Sequence, residues 1–134
     1  MVYDAARFQR DDEMTAWHRA SVAAGDKRIL MRTRKGELYS YAADEIGFAR
    51  GSGVQFTTWW GMLIGASMML GIGLIVIWGV LILPAVLGGE PHWGGLFLVL
   101  LSAGGCWLFL HYAVAEYRAR QLRRARGVPE PGSR

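Results

Sequence analysis

Two stretches, GMLIGASMMLGIGLIVIWGVLILPAVL at 61–87 and GLFLVLLSAGGCWLFLHYAVA at 95–115, decide how this chain folds. The first contains no charged side chain, and the second has only Cys106, His111 and Tyr112 as titratable groups. An apolar run of about 18 residues or more is too long for the core of a small soluble domain and suits a bilayer. The short stretch Gly88 to Gly94, carrying Glu90 and Pro91, joins the two runs. The reading is a membrane all-α fold built on a two-span transmembrane helical hairpin. A small N-terminal cytosolic head, α+β or irregular, precedes it, and a basic helical C-terminal tail follows.

The spans need boundaries. At about 1.5 Å per residue, residues 61–87 would extend about 40 Å against a hydrocarbon core of about 30 Å. Pro84 removes one N–H and crowds the carbonyl four residues back. The expectation is therefore a helix over about 58–83, an outer turn from Pro84 to Gly94, and a second helix over about 95–115. The hairpin as a whole occupies 54–117, behind a head at 1–53 and ahead of a tail at 118–134. The first apolar run must serve as its own insertion signal, because Met1 to Arg50 is polar and mixed in charge.

In the head, Asp11-Asp12-Glu13 ahead of Met14, Trp17 and Val22 predicts a short helix over about 12–24, with acids in its first turn and Gly25 at its end. Arg28 to Thr33 and Glu37 to Ala42 flank Arg34-Lys35-Gly36, which predicts a β-hairpin with Gly36 at positive φ. A further helical turn is expected over 44–48, and a Gly51-Ser52-Gly53 hinge before the first span. The second span should continue as an exposed helix through Arg126, with Gly127 and Pro129 ending it. Residues 129–134 are expected to be disordered. Glu116 and Arg120 stand four apart, the spacing of a helix-supporting ion pair.

Net charge is +4, and its placement carries more information than its size. Arg32, Arg34, Lys35 and Arg50 precede the first span, and Arg118, Arg120, Arg123, Arg124 and Arg126 follow the second. The connecting turn has no Lys or Arg. Cytoplasmic flanks hold the basic excess, so both termini are expected in the cytoplasm of a two-pass cytoplasmic (inner) membrane protein, of bacterial type. Trp59, Trp60, Tyr112 and Tyr117 are placed as inner interface anchors, and Trp93 as the outer one. The arginine cluster either fixes this topology or senses anionic inner-leaflet lipid. With no aromatic interleaving beyond Tyr117, it is not read as a nucleic-acid surface.

At 100° per residue, Gly61, Gly65 and Gly79 share one arc of the first helix with Met68 and Ile72. On the second helix Gly95, Ser102, Cys106 and Ala113 do the same with Val99. Small side chains allow close helix packing in lipid. The faces either pack together within the hairpin or recruit another membrane protein or further copies of the chain.

Chemistry is sparse. His18, His92 and His111 are dispersed and the lone Cys106 has no partner, so neither a metal site nor an intrachain disulfide is expected. His111 reads either as an interfacial histidine or as a haem ligand or proton relay. No catalytic set and no cofactor site is found, which predicts a non-enzyme: an accessory or scaffold subunit of a larger membrane complex. In general layout the short two-span hairpin with both ends inside and the basic tail Arg118 to Arg126 resembles the phage holins. That resemblance implies self-association and membrane permeabilisation. A membrane-tethered regulator acting through its head is the third reading.

Overall fold

The computed structural model describes residues 4–48 and 56–132. It is mostly helical, with two long apolar helices and a two-stranded sheet. The elements are α1 (Ala5–Ala23), β1 (Arg28–Arg32), β2 (Leu38–Ala42), a 3₁₀ turn (Ala43–Glu45), α2 (Trp59–Val76), a π-helical segment (Ile77–Ile82), α3 (Leu83–Val86) and α4 (Gly95–Arg126). They divide into two compact units, Met1–Gly47 with Ala115–Arg134, and Phe48–Val114. Both ends of the chain thus belong to one unit. Arg50 and the proposed Gly51-Ser52-Gly53 hinge lie outside the described residues.

In the first unit α1 begins seven residues earlier than its acidic cluster suggested. Asp4 is its N-cap, with a carboxylate oxygen accepting from the Arg7 amide at 3.2 Å. Asp11 therefore lies inside the helix and is buried, rather than sitting in a first turn against the dipole. Its carboxylate accepts from the Leu38 amide at 3.0 Å and from the Arg32 guanidinium at 3.3 Å, which ties the helix to both strands. The strands pair antiparallel from Arg28 opposite Ala42 to Arg32 opposite Leu38. Gly36 takes φ +83° in the connecting turn, as expected, and its carbonyl accepts from Arg7 and Arg32.

The C-terminal residues are the larger departure from expectation. Residues 128–132 are not loose. They form a strap over the end of β1 and the turn after it, with Thr33 bridged to Pro131, the Arg34 amide donating to the Glu130 carbonyl and the Gly132 amide donating to the Arg32 carbonyl. This single bridge and its flanking hydrogen bonds support a two-stranded sheet that on its own would be marginal.

In the second unit α2, the π-helical segment and α3 form one continuous apolar helix over Trp59–Val86, and α4 runs back alongside it. Both are long and apolar enough to cross a membrane. Pro84 does not stop the first. The π-helical turn widens the backbone immediately before it, and Leu83 donates five residues back to Trp78. The Val80 carbonyl, which Pro84 has no N–H to satisfy, accepts instead from the His92 amide at 3.1 Å. The helix ends at Val86, two residues after Pro84. Gly88 adopts φ +81°, Gly89 donates to Pro84 and Gly88 to Ala85, the paired bonds of a glycine-capped helix end.

Candidate functional site

The first unit is closed by a buried charge cluster. Glu116, the first polar residue after the long apolar run of α4, and Arg123, two turns later, lie on one face of the helix with Ala119 between them. Arg123 is 2% exposed and donates to the Glu116 carboxylate at 2.7 Å, to the Glu45 carbonyl at 2.5 Å and to the Glu130 carboxylate at 3.1 Å. The other Glu116 oxygen accepts from the Gly47 amide at 3.0 Å. Glu45 accepts from the Ala42 amide at 2.9 Å and from Arg126 at 3.0 Å, and Arg126 also pairs with Asp44. Tyr41, fully buried, donates to the Pro129 carbonyl at 2.9 Å. Burial holds its hydroxyl well above the ordinary tyrosine pKa, against the opposing pull of Arg123.

This arrangement redistributes the five arginines. Arg123 and Arg126 belong to the fold of the head, and Arg120 lies 3.8 Å from Glu130, both half exposed. Glu116 does not pair with Arg120 as their spacing suggested, because Arg123 reaches it from inside the packed face. Arg118 and Arg124 are exposed and form no ion pair among the described residues.

Elsewhere in this unit the groups are engaged structurally. His18 Nδ1 lies 2.8 Å from the Ser40 hydroxyl, to which Arg28 also donates, and Arg28 stacks over Trp17. A cavity of about 430 Å³ is bounded by Leu30, Thr33, Arg34, Leu38 and Gly132 among others. Among the described residues its lining contains no carboxylate, imidazole or thiol. No three His, Cys, Asp or Glu residues converge at metal-binding distance among the described residues.

The second unit has a seam of small residues. Gly65 and Gly73 of α2 and Gly95, Ser102 and Ala113 of α4 are buried there. A Cβ on Gly65 would come within 2.8 Å of the Phe109 ring, one on Gly73 within 2.9 Å of Ser102 Oγ, and one on Gly95 within 2.6 Å of Val80. The Ser102 hydroxyl donates to the Met69 carbonyl across the seam. Met62 and Ala66, which the arc did not include, are buried as well. Gly61 packs beside Thr58 and Cys106 is half-buried. Gly79 has open space beyond it, and Met68 and Ile72 point outward. Of the expected arc on α2, the seam takes Gly65, together with Met62, Ala66 and Gly73 rather than Met68, Ile72 and Gly79.

Of the aromatic residues, Trp60, Trp93 and Tyr117 are exposed, and Trp59 and Tyr112 half-buried. His111 stacks on Trp107 at 5.4 Å and meets Tyr112 edge-on. Large apolar side chains elsewhere on the hairpin are uncovered: Ile75 is 72% exposed and Leu100 70%.

Comparison with known protein families, characterised proteins and solved structures finds no match to this chain.

Proposed function

We propose that the chain is a two-pass protein of the cytoplasmic membrane, with both termini in the cytoplasm, acting as a non-enzymatic accessory or scaffold subunit of a larger membrane complex. The observation that carries the topology is the composite head. Residues 4–47 and the segment from Ala115 onward share one hydrogen-bonded core through Arg123, Glu116 and Tyr41. Two crossings return a chain to the side it left, so an even number of spans is what such a core requires. The basic residues around this unit, against none in the turn at Gly88 to Gly94, favour the cytoplasmic side.

Hydrocarbon exposed on nearly every side of the hairpin supports lipid as its solvent. The same surface favours a lateral partner over a pore: outside the seam, residues 59–86 and 95–115 carry no continuous polar face to line a channel. This sets the holin-like alternative behind the accessory reading. A periplasm-active reporter fused after residue 134 should stay silent, and one inserted at Gly89 should be active; the reverse pattern overturns the topology. Extraction in mild detergent should bring down a larger membrane partner stoichiometrically, and a partner-free monomer overturns the accessory role. Induced expression should leave membrane potential intact, whereas its collapse would favour permeabilisation.

A further inference from the structure

We infer that Arg118 and Arg124 form a binding surface for anionic lipid headgroups, distinct from the arginines that hold the head together. The inference rests on the membrane reading above. α4 contains one acidic residue, Glu116, and the fold buries it against Arg123. The exposed surface of the last three turns of α4 therefore carries no negative charge. Arg126 is neutralised by Asp44 and Glu45, and Arg120 is drawn toward Glu130. Arg118 and Arg124 are left as exposed guanidinium groups without counter-ions among the described residues.

Their position suits this role. Arg118 follows the uncharged stretch ending at Ala115 by three residues, about 4.5 Å along the axis. That is the depth of the headgroup layer beyond the hydrocarbon, about 5–7 Å on each side. Arg124 lies about 9 Å further along, and a side chain of its length can extend back toward the same layer. Tyr117 stands beside Arg118 and, with Gln121, on the same stripe as Arg124, giving an aromatic ring at the depth where such rings anchor. A guanidinium fork fits phosphate oxygens in pairs, which favours a phosphodiester headgroup over a simple counter-ion.

The test uses the full chain reconstituted in phosphatidylcholine vesicles containing a minority of phosphatidylglycerol. Spin-labelled versions of the two lipids report selectivity at the protein surface. The wild-type chain should prefer phosphatidylglycerol, and the preference should fall by about fivefold for each arginine removed. R118Q/R124Q should abolish it, R19Q, an exposed arginine of α1, should leave it, and high salt should weaken it. Glutamine keeps the helix propensity of arginine, so these variants retain the fold. Equal affinity for both lipids, or a preference that survives R118Q/R124Q, overturns the inference. Competition by soluble glycerophosphate beyond its ionic strength would assign the site to a soluble phosphate and overturn the lipid assignment. Failure of the chain to float with the vesicles sinks the membrane reading itself, and this inference with it; flotation without selectivity sinks only the inference.

Discussion

Arg123 donates to Glu116 at 2.7 Å across two turns of one helix, with both side chains almost wholly buried. Taking two charges out of water costs several kcal/mol per ion, and the pair persists because every carboxylate oxygen of Glu116 and two amino groups of Arg123 are hydrogen-bonded. Removing one member leaves the other charged, buried and uncompensated. R123M should therefore destabilise the head by about 3–5 kcal/mol. R124M, on the exposed side, should change stability by less than about 0.5 kcal/mol. Hydrogen exchange at the Leu38 amide in the full chain, which reports head opening, checks both.

Gly47 lies directly on the backbone of α4. A Cβ there would come within 2.3 Å of both the Ala115 carbonyl carbon and the Glu116 nitrogen, a clash with main chain that no rotamer relieves. G47A should cost about 1–3 kcal/mol or more and should lengthen or break the Gly47 bond to Glu116. Limited proteolysis of residues 26–47 in the full chain should accelerate in the variant and not in the wild type.

Two glycines of the same apolar helix should respond with opposite signs. G65A pushes a methyl into the Phe109 ring at 2.8 Å and should loosen the hairpin. G79A meets open space, and by removing glycine's backbone freedom should add about 0.5–1 kcal/mol of helix stability. Thermal unfolding in detergent, followed by helical circular dichroism, separates them; equal shifts of the same sign would contradict the seam.

Tyr41 supplies a pH dependence with a defined sign. Its hydroxyl ionises near 10.0 in the unfolded chain and above that in the folded one, because burial disfavours the phenolate. Above pH 10.0 the unfolded chain therefore holds fewer protons than the folded chain, and head stability declines as pH rises further. Below that value the contribution is fully present. Y41F should lose about 1 kcal/mol at neutral pH with its bond to Pro129, and should flatten this part of the alkaline decline. Denaturant titrations on either side of pH 10.0 measure the difference.

Features that depend on local sequence were legible in advance. Gly25, Gly36 and Gly127 all take positive φ where a helix end or a tight turn was expected, and the two runs flanking Arg34-Lys35-Gly36 marked the strands. Pro84 misled because its rule is local while its remedy is not: the amide that satisfies Val80 comes from His92, in the following turn. The strap misled for the same reason. Val128-Pro129-Glu130-Pro131-Gly132 has no period, and its order comes from the edge of a strand about a hundred residues earlier. For the charge cluster a signal was present, since Glu116, Ala119 and Arg123 share a helical face. Within the basic run Arg118 to Arg126 that shared face is the one mark that sets the inward-facing Arg123 apart.

The non-contiguous head has a consequence for biogenesis. A ribosome makes residues 4–47 well before the Ala115–Gly132 segment, with the whole apolar hairpin made in between. Until that segment arrives, Glu45 lacks Arg126, the Gly47 amide lacks its acceptor, and Tyr41 has no carbonyl at Pro129. On the proposed two-pass topology, completion of the head would report that both hydrophobic helices have been made and that their flanks lie in the same compartment. A chain whose second helix goes astray would display an open sheet and unpaired carboxylates, the kind of surface that proteolytic surveillance recognises.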